Sequence, residues 1–280
     1  MNETPPPIEE SCAPSYSSAL AVASLGFGTF AQVTCEFAPI GVLPEAATNF
    51  DVSSGVAGLM MTLPGIFAAV SALFVATVIR QADRKLVLLA LALLLVVSSI
   101  VCAMAPTFEF LLAGRALLGI CLGASWTMAL SIASRVASPG KVHQAAAAVF
   151  AGVTAAMILG LPLGTLIGDA TSWRITFLAG AVLGAIALLL QFLYLPKLPS
   201  GKQFKLSNHL KFLKHPSAII SLAMAYLGHA AHFGAYTYLA PTLKEASIVG
   251  SNLTYLLFAF GRRRDRTGHS LSPSQPCSLP

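Results

Sequence analysis

The chain is expected to be an all-α transmembrane protein, and three observations lead there. It is 56% hydrophobic and 10% charged, where a soluble domain carries roughly 25% charged residues. Its apolar text falls into runs long enough to cross the ~30 Å hydrocarbon layer at ~1.5 Å per residue. Short stretches holding nearly all of the Lys and Arg separate those runs. The formal charge of +6 therefore reports orientation in a membrane and is not a nucleic-acid signal. A cleavable leader is not expected, since the first 18 residues hold Glu3, Glu9 and Glu10, three consecutive prolines and no Lys or Arg. The cysteines lack metal or disulfide spacing, and Cys35, Cys102 and Cys121 sit in apolar runs as small hydrophobes.

Residues 1–17 read as a polar, proline-rich cytoplasmic tail. The first span covers about 18–43, is interrupted by Glu36 and Pro39, and is closed by Pro44. The second covers about 55–79. The third, about 86–105, is almost pure Leu, Val and Ala and ends at Pro106. The fourth, Phe110–Ser134, holds one charge, Arg115. The fifth covers about 144–167 and has a glycine-rich end; the sixth, about 175–195, stops at Pro196. Together, residues 18–195 make a six-helix N-terminal bundle. A basic linker, 196–215, leads to one or two helices of a second bundle within 216–260. There the seventh span runs about 216–239 and ends at Pro241, and an eighth begins near Ser251 and stops at Phe260.

Alternate threading of these spans sorts the charges. With a cytoplasmic N-terminus, the inner side holds Arg80, Arg84, Lys85, Arg135, Lys141, Lys197, Lys202, Lys205, Lys211, Lys214, Arg262, Arg263, Arg264 and Arg266. The outer side holds Arg174 and Lys244, and Arg115 lies in the membrane, which accounts for all 17. The positive-inside rule favours this orientation in a plasma (inner) membrane.

A weak internal repeat joins the first and seventh spans: Ala38-Pro39 precedes Pro44-Glu45-Ala46, and Ala240-Pro241 precedes Lys244-Glu245-Ala246. Parallel repeats of this kind are one architecture of secondary transporters, and a full second repeat would bring the chain to roughly 400 residues. Residues 261–280 break the pattern with four arginines, three prolines and four serines. They are expected to be a non-native, frame-shifted tail, with a genuine cytoplasmic tail as the alternative.

An arginine inside the hydrocarbon layer costs roughly 2.5–3.5 kcal/mol on insertion scales. Arg115 is therefore expected to face a polar cavity or partner, the alternative being a side chain that snorkels to the headgroups. Gly119 and Gly123 follow at four-residue steps on the same helix face and permit close helix approach. Glu36 lies eight residues before Pro44, and Arg115 nine after Pro106. Both therefore sit about 12–14 Å below the outer surface, and the pair is expected to meet. Competition between burial and a nearby guanidinium suits a proton-exchanging carboxylate; the alternative is a permanent ion pair that only fixes packing. Gly160, Pro162 and Gly164 in the fifth span have a packing and bending role on either reading. His229, His232, Tyr236 and Tyr238 are substrate-pathway candidates, or in the case of the tyrosines interfacial anchors. Trp126 and Phe150 are expected to pack.

These passages resemble the major facilitator superfamily, in its drug:proton antiporter branch and near bacterial sugar and nucleoside efflux permeases. Glu36–Pro44 is similar to the branch's acidic first-helix signature. Arg115, Gly119 and Gly123 match its R-x-x-x-G-x-x-x-G pattern, and Gly160–Gly164 with Gly168 and Trp173-Arg174 is similar to its antiporter motif. His232–Pro241 looks like a passage of the efflux-permease group. The loop after the second span departs from the pattern: Arg80 and Gln81 take the Asp-Arg places and Asp83 the glycine's, while Arg84 and Lys85 match the basic pair. A conformational latch at that loop is accordingly in doubt, and the charges equally suit a positive-inside anchor. The resemblance implies a monomer that exports a small organic solute (a sugar, a nucleoside or a drug) by proton antiport through alternating access. Protons, the solute and the lipid bilayer are then its partners, and nucleic acid is not. Neither an enzyme nor a cofactor is expected, since no phosphate loop, metal-ligand spacing or catalytic Ser/His/Asp grouping occurs. The other class held open is an inactive remnant or a membrane scaffold.

Overall fold

The computed structural model describes residues 15–78, 83–198 and 216–245, and every regular element among them is helical. Helix α1 (Ser15–Phe37) passes through a 3-10 segment (Ala38–Val42) into α2 (Leu43–Asn49). A short α3 (Ser54–Ala57) leads into α4 (Leu59–Val78). Then come α5 (Arg84–Ala103), α6 (Phe108–Val136), α7 (Val142–Ala170), α8 (Trp173–Tyr194) and α9 (Pro216–Glu245). Six stretches are long and apolar enough to cross a membrane: Ser18–Ile40, Ser54–Phe74 and the whole of α5 to α8. The apolar part of α9 is shorter, Pro216–Gly228. The eighth span and residues 261–280 lie outside the described residues.

Two expected helix ends fall elsewhere. Pro44 opens α2 in its first turn, where the missing N–H would have had no partner in any case. Pro241 sits inside α9, which runs on to Glu245. Pro64 and Pro162 are likewise interior to α4 and α7. In a membrane bundle a proline removes one ladder bond and bends the helix without ending it, provided a neighbour satisfies the freed carbonyl.

Within the bundle α4 packs on α6, α1 on α7, and α5 on both α6 and α8. At one end Trp173 stands edge-on to Phe177, with ring centres 6.1 Å apart, and tilted to Phe50 at 5.3 Å. The Arg174 guanidinium lies 4.2 Å over the Trp173 ring and donates to the Ala105 carbonyl at 2.9 Å. The tryptophan–arginine pair thus ties the start of α8 to the α5–α6 corner.

At the other end the chain leaving α8 is held by the start of α5. Asp83 Oδ1 accepts from Lys85 N at 2.8 Å, capping the helix, and from Leu198 N at 3.0 Å. Arg84 N donates to the Leu198 carbonyl at 3.0 Å, and Lys85 Nζ to the Phe192 carbonyl at 2.9 Å. Arg80 lies outside the described residues. Asp83→Ala removes a cap and strands Leu198 N, and is expected to lower stability by about 0.5–2 kcal/mol. Thermal unfolding in detergent measures it, and Asp83→Asn, which keeps an acceptor, should retain most of the stability.

Candidate proton-coupling and helix-packing site

Arg115 is the largest fully buried side chain among the described residues, 1% exposed, and it snorkels nowhere. Its Nε donates to the Met60 carbonyl at 2.7 Å, one terminal nitrogen to the Cys35 carbonyl at 2.9 Å, and the other to the Glu36 carbonyl at 3.2 Å. The Met61 sulfur lies 3.7 Å from that last nitrogen. A helical carbonyl normally receives the N–H four residues on. Four after Met60 is Pro64, and four after Cys35 is Pro39. Proline has no N–H to give, so both carbonyls are vacated by the chain itself. Four after Glu36 is Ile40, in the 3-10 segment, whose N–H groups reach back three residues rather than four. One guanidinium therefore fills the gaps that two prolines open in α1 and α4, and staples those helices to α6. Its five donors on a planar fork suit acceptors on two helices.

The expected meeting of Glu36 and Arg115 takes place at the main chain. Arg115 bonds the Glu36 carbonyl, and among the described residues no hydrogen bond or ion pair reaches the Glu36 carboxylate. Vacant carbonyls in a low-dielectric interior make a steeper demand on the guanidinium than a carboxylate that is only half-buried. Glu36 follows Gln32 by four residues and Thr29 by seven, so all three share one face of α1. Gln32 Nε2 donates to Ser125 Oγ of α6 at 2.9 Å, and Thr29 Oγ1 to the Val149 carbonyl of α7 at 3.1 Å. The Glu36 face of α1 thus lies toward α6 and α7.

The glycines set how close these helices come. A Cβ built on Gly119 would strike the Pro64 carbonyl and stand 2.8 Å from Phe67 Cβ; one on Gly123 would strike the Ala68 carbonyl. Arg115, Gly119 and Gly123 thus face Met60, Pro64 and Ala68 in register, a turn at a time. On α7, a Cβ on Gly160 would stand 3.2 Å from Phe37 Cβ and one on Gly164 would meet the Ala38 carbonyl. Pro162, buried between them, lies inside α7 where that helix packs on the 3-10 segment. His229, His232, Tyr236 and Tyr238 lie on α9, with their side chains outside the described residues. Trp126 and Phe150 do not pack inside: they are 38% and 49% exposed. An aromatic ring facing hydrocarbon costs nothing that would force it into the bundle.

The role of Pro39 and Pro64 was missed in the sequence, although their four-residue spacing from Cys35 and Met60 was readable there. The Gln32–Ser125 contact had no local signal.

Residues 25–262 match the model of the family described as Major Facilitator Superfamily. The chain belongs to the Major Facilitator Superfamily. The family is one of multi-pass membrane transport proteins, and among the described residues six stretches of this chain are long and apolar enough to cross a membrane. Among similar proteins, the purine ribonucleoside efflux pump NepI of Escherichia coli (strain K12) is 31% identical over 242 residues, covering 86% of this chain and 61% of that one. The protein of that name from Shigella dysenteriae serotype 1 shows the same identity and coverage. The chain therefore spans 61% of the length of these relatives. Among solved structures, the fold matches a bacterial homologue of the human lysosomal transporter Spinster, inward-facing and unoccupied. That match has a TM-score of 0.72 at 17% identity and covers 90% of this chain and 60% of that one. The human organic anion transporter MFSD10 aligns with a TM-score of 0.58 at 17% identity, over 92% of this chain and 72% of that one.

Proposed function

We propose that this superfamily member exports a small organic solute by proton antiport through alternating access, with Glu36 as the proton-exchanging group. The observation that carries the reading is the Glu36 carboxylate, half-buried and with no hydrogen bond or ion-pair contact among the described residues, while Arg115 bonds main-chain carbonyls. A carboxylate free of a fixed ion pair can take up and release a proton as solvent access changes. Arg115 serves as the structural centre of the same corner, and the Gly119/Gly123 and Gly160/Gly164 contacts let α1, α4, α6 and α7 move as one body. The names of the relatives support a purine ribonucleoside as cargo. On this reading the protein is a monomer in the inner (plasma) membrane with a cytoplasmic N-terminus. His229, His232, Tyr236 and Tyr238 contribute to the solute pathway.

The test is uptake of radiolabelled inosine into inverted membrane vesicles carrying this chain under an imposed pH gradient. Gradient-driven uptake above control vesicles is expected, falling to background in Glu36→Gln while the variant's stability in detergent stays near the parent's. Equal uptake by Glu36→Gln removes the residue from coupling. No uptake by the parent chain favours a remnant or scaffold over a transporter.

A further inference from the structure

We propose that the space between α1, α5, α7 and α8 is a hydration site, in which ordered water completes the hydrogen bonding of Thr34. A cavity of about 50 Å³ lies there, lined by Thr34, Cys35, Ser99 and Thr176 among others. One water needs about 10–15 Å³ of such space, so the cavity holds roughly three. All four of these side chains are buried, and Thr34 Oγ1 has no hydrogen-bond partner. The other three are held only by long contacts. Thr176 Oγ1 reaches the Gly164 carbonyl at 3.5 Å, Ser99 Oγ reaches Cys35 Sγ at 3.9 Å, and that thiol reaches the Gly180 carbonyl at 3.5 Å.

A water needs two to four polar partners, and in a lining that is otherwise apolar Thr34, Ser99, Thr176 and Cys35 supply them. The chemistry selects water. Each hydroxyl both donates and accepts, as water does. A metal cation would find no carboxylate in the lining and would share the Cys35 residue with the Arg115 charge. The site backs onto Ala38 and Pro39, where α1 changes to the 3-10 segment. Water there lies beside the direct contact of the broken part of α1 with α7, on the side toward Ser99 and Thr176. It gives the joint a partner whose hydrogen bonds can be exchanged as the segment shifts.

The experiment is X-ray hydroxyl-radical footprinting of the 280-residue chain in detergent, read peptide by peptide by mass spectrometry. Radicals born on an ordered water oxidise the side chains around it. Cys35, 6% exposed, is expected to oxidise several-fold faster than Cys121, which is 0% exposed and whose thiol already bonds the Leu91 carbonyl at 3.1 Å. Thr34→Val is expected to bring Cys35 down to the Cys121 rate, and Thr34→Ser, which keeps the hydroxyl, to leave it fast. Equal rates for Cys35 and Cys121 in the parent chain overturn the proposal. So does a Cys35 rate that Thr34→Val leaves unchanged, or one that Thr34→Ser lowers as far as Thr34→Val does.

Discussion

Replacing Arg115 by Met is expected to destabilise the bundle by about 3 kcal/mol, a large share of what a membrane domain of this size has to lose. Three carbonyls lose their donor, at about 1–3 kcal/mol each when left unpaired in the interior. Against that stands the relief of no longer burying a guanidinium, roughly 2.5–3.5 kcal/mol on insertion scales. The carbonyl term is larger, so the sign is a net loss. Arg115→Lys is expected to recover less than half of it. A single ammonium nitrogen cannot meet Met60 on α4 and both Cys35 and Glu36 on α1 with the fork that holds them now. Unfolding in SDS–detergent mixtures, followed by helical circular dichroism, gives the difference directly.

Gly123→Ala is expected to cost toward the upper end of the ~1–3 kcal/mol typical of overpacking. The added methyl falls on the Ala68 carbonyl, main-chain atoms that cannot rotate aside, and α4 must move away from α6. Gly119→Ala, against the Pro64 carbonyl, should behave alike. Movement of α4 also draws Met60 off Arg115, so either substitution weakens the staple one or two turns away. Gly65 on α4 is the control, because a Cβ there meets nothing within 4 Å. Gly65→Ala should be neutral or stabilising by up to about 1 kcal/mol through helix propensity alone. The same unfolding assay separates them, and equal effects at Gly123 and Gly65 would show that contact with α4 is not what Gly123 serves.

The reach of the sequence follows from which forces are local. Span positions and the helical class were legible because hydrophobic length is written residue by residue: α5 to α8 begin and end within two or three residues of the expected limits. Proline punctuation misled at Pro44 and Pro241, since a proline's effect depends on whether a neighbour answers the carbonyl it frees. Arg115 was legible as a buried cation in need of a partner. Its choice of partner was not, because equal depth nominated the Glu36 carboxylate while the vacancies at Cys35 and Met60 lie on two different helices. Gly119 and Gly123 could be placed on one face from spacing, but the register against Pro64 and Ala68 is a property of packing. Thr34 and Gln32 carried no signal, as a single polar residue in an apolar run says nothing about what it will touch.

The central claim is that Arg115 serves main-chain carbonyls vacated by proline and leaves the Glu36 carboxylate free. Two double-mutant cycles run in the same unfolding assay test it most directly, one pairing Arg115→Met with Pro64→Ala and the other pairing it with Glu36→Gln. Pro64→Ala restores an N–H to the Met60 carbonyl, so the account expects Arg115→Met to cost at least about 1 kcal/mol less in that background. The Glu36→Gln cycle should show the weaker coupling of the two, that of nearby charges without an ion-pair contact. Additivity with Pro64→Ala together with strong coupling to Glu36→Gln would contradict the account, because the arginine would then be holding the carboxylate and not the backbone.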